Sequence, residues 1–364
     1  MESVAAAAWF LSATTSENPE PASAGSLGGP GLSRQRRGDI IPWFTYVANA
    51  HRTEPMTMHR SRQLVGGVLA LVMVSSTPAI AQSTTDSART TIVVLDGRPV
   101  RVQAAGLERR KPGSPVVVFE AGAANSLDSW RAVLPHVATV APVVAYDRAG
   151  LGQSAWDSVT PTPRHVTTRL RRLLREIGAE PPYILVGHSW GASLMRFFAG
   201  YHPTEVVGLV YADPGPIITQ SAADEIAPFE AIGKGRAEYE AFWLRYTVLV
   251  ERVSPAARAE FGVFRRLTQR DVAERDLMPA PDVPVVMLLA AKPFPPLPGL
   301  PFDAAAHFQA DLRHRIRMLQ EWALASSKGT VVVSNLSTHA IPRDEPDLIV
   351  WAVKRVLPAP VVRP

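Results

Sequence analysis

A serine with the surroundings of a catalytic nucleophile stands in Gly187-His188-Ser189-Trp190-Gly191. This Gly-x-Ser-x-Gly segment directly follows the apolar run 183–186 and directly precedes a helix predicted over 192–201. A sharp turn between strand and helix exposes the serine hydroxyl above the sheet, and the two glycines remove side chains that would clash with the neighbouring elements. The positive end of the helix dipole favours the negative charge that develops there. We therefore predict that Ser189 is a nucleophile; the alternative is a serine that only caps the helix.

His339 is the predicted general base for this serine. A serine hydroxyl must lose its proton to a base that titrates near neutrality, and histidine is the default side chain for that task. Of the nine histidines, most lie in the N-terminal segment or on predicted helices and their ends. His188 adjoins the serine and is expected to face elsewhere. His339 remains, just beyond the last predicted strand and before a helix; a surface histidine is the alternative interpretation.

The segments around these residues alternate between strand and helix. A hairpin is predicted over 91–104, with Asp96-Gly97 at its turn, and an amphipathic helix over 163–178. Continuous apolar runs suit strands that are buried on both faces of a parallel sheet, and they lie at 115–119, 141–146, 183–186, 206–212, 283–290 and 330–334. The alternation predicts an α/β fold, with a mostly parallel β-sheet and helices on both faces.

The alternation is interrupted between residues 216 and 280. This stretch is rich in helical pattern, with helices predicted over 237–250 and 255–267, and its aromatic residues give these helices apolar faces. We predict an inserted helical cap over 216–280 and a core formed by 82–215 and 281–364. Helices over 304–326 and 346–356 complete the predicted core.

From about residue 90 to 357 the chain resembles the α/β-hydrolase fold family, in particular its serine esterases and lipases. The matching motifs are Phe119-Glu120-Ala121-Gly122-Ala123, the segment 147–154 (DRAGLGQS), the serine pentapeptide, and a terminal His339 after a strand. The resemblance implies a chain order of serine, acid and histidine, and an oxyanion hole formed by the backbone N–H groups of Ala123 and Trp190. Many members have His-Gly where this chain has Glu120-Ala121-Gly122. Glu120 is therefore open to two interpretations, a carboxylate that holds the loop or a functional group.

The acid of the implied triad departs from the usual pattern of the family. There it follows the strand predicted here at 283–290, yet the residues at 291–295 (AKPFP) include no carboxylate. Asp213 ends the preceding strand, where some members carry their acid, and it is the favoured candidate. Asp303, beyond the proline-rich loop, is the alternative acid. Asp213 has an alternative role of its own, as a carboxylate that caps the turn into the cap.

The N-terminal region predicts export. A basic start, the apolar stretch 64–74 and Ala79-Ile80-Ala81 are the three parts of a secretory signal peptide, which we place at 56–81. The apolar stretch is too short to span a bilayer comfortably. Residues 1–55 are predicted to be disordered, or an extension that results from the choice of start codon. The mature protein is expected to be periplasmic or secreted, or membrane-anchored if the signal stays uncleaved.

Composition narrows the chemistry further. The absence of cysteine excludes disulfides, cysteine-ligated metals and a thiol nucleophile. The net charge of +5 comes with no basic stripe interleaved with aromatics, so nucleic acid is not expected as a partner. We expect no cofactor and no metal. The oligomeric state is left open.

The predicted activity is hydrolysis of a carboxylic ester of a small or apolar molecule, through an acyl-enzyme. Amide hydrolysis, acyl transfer to an alcohol and perhydrolysis remain open. Dehalogenases and epoxide hydrolases of this fold use an aspartate in the turn that here carries Ser189, which we call the elbow. The serine therefore argues against both of these activities. The alternatives of another class are a catalytically silent ligand-binding protein on the same scaffold and a membrane-anchored structural protein.

Overall fold

The computed structural model describes residues 89–215, 222–250, 253–268, 277–293, 295, 299–325 and 327–358. The predicted signal peptide at 56–81 and the extension at 1–55 lie outside these residues, so export stays a prediction. Within the described ranges, no helix combines the length and the apolar character that a membrane crossing requires.

An eight-stranded sheet forms the centre of the described chain. Its strands are β1 (Arg89–Leu95), β2 (Arg98–Ala105), β3 (Val116–Glu120), β4 (Val143–Tyr146), β5 (Tyr183–His188), β6 (Val206–Ala212), β7 (Val285–Ala290) and β8 (Gly329–Ser334). They lie in the order β1-β2-β4-β3-β5-β6-β7-β8. β1 and β2 form the predicted hairpin, β2 pairs antiparallel with β4, and all later pairs are parallel. The predicted α/β architecture is confirmed.

The hairpin turn has a local cause. Asp96 and Gly97 both have positive φ, 53° and 71°. Two left-handed residues form the kind of two-residue turn whose twist matches that of the flanking strands, and Asp-Gly is among the sequences that adopt it most readily.

Helices cover both faces of the sheet, and each face has its own apolar core. The helices are α1 (Leu134–Val137), α2 (Pro163–Glu176), α3 (Trp190–Tyr201), α4 (Ala222–Glu230), α5 (Arg236–Val250), α6 (Pro255–Thr268), α7 (Ala304–Ala325), α8 (Ile341–Asp344) and α9 (Pro346–Val356). Helices α2, α3 and α7 contribute to one core, and α1, α8 and α9 to the other. Strands β3 to β7 are almost completely buried between these layers. This double burial explains why their sequences are continuous apolar runs.

Helices α4, α5 and α6 lie between β6 and β7 in the chain, within the interval predicted as a cap. The sequence analysis predicted α5 and α6 within one residue at each end and missed α4. Aromatic side chains of α4 and α5 form a cluster around Phe229, Tyr239 and Trp243, separate from the two sheet cores. The exact limits of the cap stay a prediction, because residues 216–221 and 269–276 are not described.

Candidate active site

Ser189 occupies a strained turn between β5 and α3. Its φ and ψ are 53° and −122°, a conformation that a residue with a side chain rarely adopts. A Cβ added at Gly187 would lie 2.5 Å from Ala192 Cα, and one added at Gly191 would lie 2.3 Å from the Glu120 carbonyl oxygen. Both glycines are therefore required by the packing. The strain is maintained by a hydrogen bond from the Ser189 amide to the Ala212 carbonyl, 3.0 Å long.

Asp213 and His339 form a close pair at the same end of the sheet. Asp213 follows β6 directly, His339 follows β8, and His339 Nδ1 lies 2.5 Å from Asp213 Oδ2. The Asp213 carboxylate also accepts hydrogen bonds at Oδ1 from the Ala290 amide, 3.1 Å, and from Arg315 Nη2, 2.9 Å. Burial alone would raise its pKa, but the Arg315 charge and the hydrogen bond from His339 hold the pKa of Asp213 below its usual range. Asp213 is thus an ionised carboxylate aimed at the imidazole.

The alternative acid is located elsewhere. Asp303 is exposed and directly precedes α7. Its Oδ1 accepts hydrogen bonds from the amides of Ala305 and Ala306 at 2.9 and 3.1 Å. This is the geometry of a helix N-cap. The structure therefore brings Asp213, and not Asp303, to His339.

His188 lies against the candidate base, contrary to the expectation that its side chain faces elsewhere. Its ring centroid is 4.8 Å from that of His339, and its Nε2 lies 2.7 Å from the His339 carbonyl oxygen. A carbonyl only accepts, so Nε2 carries the proton and donates. Burial, together with the charge of His339, lowers the pKa of His188 to about 3, so this ring is neutral. His188 holds the backbone of His339, and its low pKa makes its other nitrogen, Nδ1, a weak base.

Two backbone amides are available beside the serine. Trp190 is the first residue of α3, and the first N–H groups of a helix have no partner within it. In the loop after β3, the neighbouring amides are occupied: Ala124 donates to Glu260 Oε2 and Asn125 to the Gly122 carbonyl. The Ala123 amide donates no hydrogen bond within the part of the chain that the structure describes. Among the described residues, the N–H groups of Ala123 and Trp190 therefore have no acceptor, as the predicted oxyanion hole requires.

Glu120 is bonded within the protein. It is fully buried, Tyr146 donates to its Oε2 at 2.6 Å, and Arg148 Nη1 donates to its Oε1 at 2.7 Å. Burial raises the pKa of Glu120, an effect that the Arg148 charge opposes. These contacts agree with the first of its two interpretations, in which the carboxylate holds the loop after β3.

Comparison with known proteins addresses the family. Residues 115–248 match the family profile described as the alpha/beta hydrolase fold. The structure is similar to Cfl2 of Burkholderia cenocepacia, with a TM-score of 0.52 and 21% identity, covering 76% of this chain and 98% of that one. The described part of the chain therefore has the α/β-hydrolase fold.

Curated relatives of the chain carry several activities in their names. An AB hydrolase superfamily protein of Gibberella zeae is 37% identical over 112 residues, 30% of this chain and 35% of that protein. A haloalkane dehalogenase of Bradyrhizobium diazoefficiens is 27% identical over 239 residues, 60% of this chain and 74% of that protein. An epoxide hydrolase B and a lipase LipV of Mycobacterium tuberculosis are 31% and 28% identical, over 46% and 45% of their lengths. The chain spans well under two thirds of most of these relatives.

Helix α6, within the interval predicted as a cap, contacts the site through Phe264 and Glu260. Phe264 packs edge-on against the Trp190 ring, with centroids 5.6 Å apart. One turn earlier, Glu260 accepts the hydrogen bond from the Ala124 amide, 3.0 Å long. Helix α6 therefore borders both candidate oxyanion donors.

Sequence reasoning missed four residues of this site: His188, Arg148, Glu260 and Arg315. Each acts through a partner more than 100 residues away in the chain, except for the bonds of Arg148 to the loop after β3. Arg148 stood within the quoted segment 147–154 and His188 within the serine pentapeptide, so a signal was available for these two. Glu260 and Arg315 have no local pattern that distinguishes them.

Proposed function

We propose that this protein is a serine hydrolase that cleaves carboxylic esters through an acyl-enzyme. The observation that carries the proposal is the pair formed by the buried Asp213 and the partly exposed His339, which lies at the strand ends near the strained Ser189. A carboxylate on Nδ1 leaves Nε2 of the imidazole with its lone pair, which is the tautomer that a general base needs. The amides of Ala123 and Trp190, which have no acceptor among the described residues, support acyl transfer rather than simple ligand binding.

The reaction would proceed in two halves. In the first, Ser189 Oγ attacks the ester carbonyl while His339 Nε2 takes its proton, and the amides of Ala123 and Trp190 donate to the resulting oxyanion. Collapse of this intermediate transfers the proton from the imidazolium to the leaving alcohol. In the second half, water loses a proton to His339 and attacks the acyl-enzyme, which releases the acid and restores Ser189.

The side chain of Ser189 favours one of the activities that the relatives' names suggest. Displacement at a saturated carbon, as in opening an epoxide or removing a halide, would join the substrate to Ser189 as an ether. Water does not readily hydrolyse an ether, so the enzyme would stop after one turnover. Attack on a carbonyl gives an ester, which the same machinery hydrolyses. The serine therefore favours the chemistry named for the lipase relative over that of the dehalogenase and the epoxide hydrolase.

Labelling with a fluorophosphonate probe and turnover of p-nitrophenyl esters of graded acyl length would test the proposal. Ser189→Ala should lose labelling and reduce ester kcat by several orders of magnitude, and His339→Ala should cost about as much because the two act as a unit. Ser193→Ala is the matched control, since Ser193 is a buried serine one turn further along α3. A Ser189→Ala protein with full turnover would refute the nucleophile. A wild-type protein that neither reacts nor turns over would favour the silent binding protein.

A further inference from the structure

Arg148 is a buried guanidinium with all five of its N–H groups in use. Its side chain is 3% exposed. Nε donates to Glu260 Oε1 at 2.5 Å and Nη2 donates to Glu260 Oε2 at 2.9 Å, which makes a two-point contact. Nη1 donates to Glu120 Oε1 and to the Ala121 carbonyl, both at 2.7 Å, and Nη2 also donates to the Gly122 carbonyl at 2.6 Å. The side chain is therefore fixed on every side.

One of these bonds, from Nη2 to the Gly122 carbonyl, acts on the peptide group of a candidate oxyanion donor. The Gly122 carbonyl and the Ala123 N–H belong to one planar trans peptide, in which they point in opposite directions. Arg148 holds the Gly122 oxygen, and so it also sets the direction of the Ala123 N–H. A charged donor on the carbonyl further polarises the peptide and strengthens the N–H as a donor.

The next peptide group is held from the cap. The Ala123 carbonyl and the Ala124 N–H share the following peptide plane. Asn125 Nδ2 donates to this carbonyl at 3.2 Å, and Glu260 Oε2 accepts from this N–H at 3.0 Å. Ala124 has a φ of +59°, which is unfavourable for a residue with a side chain, so the loop needs such restraints.

The charges explain why Arg148 and Glu260 depend on each other. Burial alone would lower the pKa of Arg148, but the carboxylates of Glu260 and Glu120 hold it above its usual range. Glu260, 2% exposed, has Arg148 as its charged partner. Removing either member would leave the other as a buried charge with incomplete pairing, which is strongly unfavourable.

We propose that Arg148 and Glu260 are positioning residues for oxyanion stabilisation, which together fix the two peptide groups on either side of Ala123. Glu260 reaches the loop from helix α6, so the oxyanion hole is complete only when the cap is docked. The inference rests on the proposed function, because it assigns these residues to the transition state of acyl transfer.

The test compares Glu260→Gln with Glu240→Gln in the full-length protein. Both are cap glutamates that pair with arginine, but the Glu240–Arg265 pair is at the surface, 45% and 30% exposed. Glu260→Gln should reduce kcat for a p-nitrophenyl ester about 10–100-fold with little change in KM, since a complete oxyanion donor is worth about 10²–10³-fold. Inhibition by a trifluoromethyl ketone, whose serine adduct carries an oxyanion, should weaken by a similar factor. Glu240→Gln should match the wild type in kcat, in KM and in its inhibition by the ketone.

A folded Glu260→Gln protein with unchanged kcat and unchanged ketone affinity would overturn the proposal, and so would a change confined to KM. If Glu260→Gln does not fold, Glu260→Asp keeps the charge and withdraws the carboxylate by one carbon, and the same comparison applies. A wild type with no esterase activity and no fluorophosphonate labelling would refute the proposed function alone. In that case, hydrogen exchange at the amides of 122–125 still tests the clamp: faster exchange in the variant supports it, and unchanged exchange overturns it.

Discussion

Replacing Arg315 by methionine removes the charge that accompanies the candidate acid while retaining most of the apolar stem. Arg315 lies on α7, and its guanidinium bonds to Asp213 Oδ1 and to the Pro214 carbonyl, at 2.9 and 3.2 Å. Asp213 is 3% exposed and Arg315 is 22% exposed at the side chain. The substitution therefore leaves a buried carboxylate with two donors, His339 and the Ala290 amide.

The expected loss of folding stability follows from the fact that Asp213 loses one of its three donors. Removing one partner of a buried ion pair costs about 3–5 kcal/mol. Because Asp213 keeps two donors and Arg315 is partly exposed, we expect a smaller loss of stability, about 2–3 kcal/mol. The pKa of Asp213 is held below its usual range in the wild type and should rise in the variant. The difference in stability should thus be full at neutral pH. It should shrink as the pH falls through the variant's raised pKa toward the lowered pKa of the wild type, because the folded variant then binds a proton that the folded wild type does not.

Urea unfolding of the two proteins between pH 4 and pH 8 measures this difference, with the midpoint and slope fitted separately. Arg317→Met is the control, because Arg317 is an exposed arginine on the same helix and its replacement should stay within about 0.5 kcal/mol. If Arg315→Met is no less stable than Arg317→Met at pH 7, the ion pair does not stabilise the fold as argued. A loss that does not vary with pH would show that packing, and not the Asp213 charge, is responsible.

Two further predictions concern the acid and the elbow. Asp213→Asn should lower ester kcat by several orders of magnitude through a misoriented imidazole or the wrong tautomer, whereas Asp303→Asn should change kcat little; steady-state kinetics with the reverse ranking would move the acid to Asp303. Gly191→Ala should destabilise the protein by about 1–3 kcal/mol or more in urea unfolding, because the added Cβ would lie 2.5 Å or less from two carbonyl oxygens. Gly235→Ala, where the added Cβ meets nothing within 4 Å, should be tolerated, and equal losses in the two would contradict the steric argument.

The sequence predicted the elements whose pattern is local. Strands β3 to β7 are buried on both faces, so their apolar runs identify them, and the glycines of the elbow are required by contacts with immediately adjacent elements. His339 could be selected by elimination. Asp213 could be favoured over Asp303 because a residue at a strand end is held by rigid backbone, and the structure places it against the imidazole.

The partners of these residues could not be predicted, for a physical reason. Arg315, Glu260 and His188 act through contacts between elements whose mutual placement depends on the folded sheet, and none of them alters the local apolar pattern. Helix α4 was missed for a related reason, since it contains Pro228 and packs its aromatic side chain within the cap rather than on the sheet. Such residues become recognisable only when the distances between elements are known.

The insertion between β6 and β7 has an evolutionary consequence. A crossover between neighbouring parallel strands needs only about a dozen residues. The entropic cost of closing a longer connection rises only slowly with its length. Most of this segment could therefore be exchanged for another without altering the sheet, which is how one scaffold acquires new substrate ranges. Glu260 restricts that freedom, because a replacement segment without a carboxylate at this point would leave Arg148 short of a partner inside the core. A replacement segment would therefore have to supply its own carboxylate to pair with Arg148.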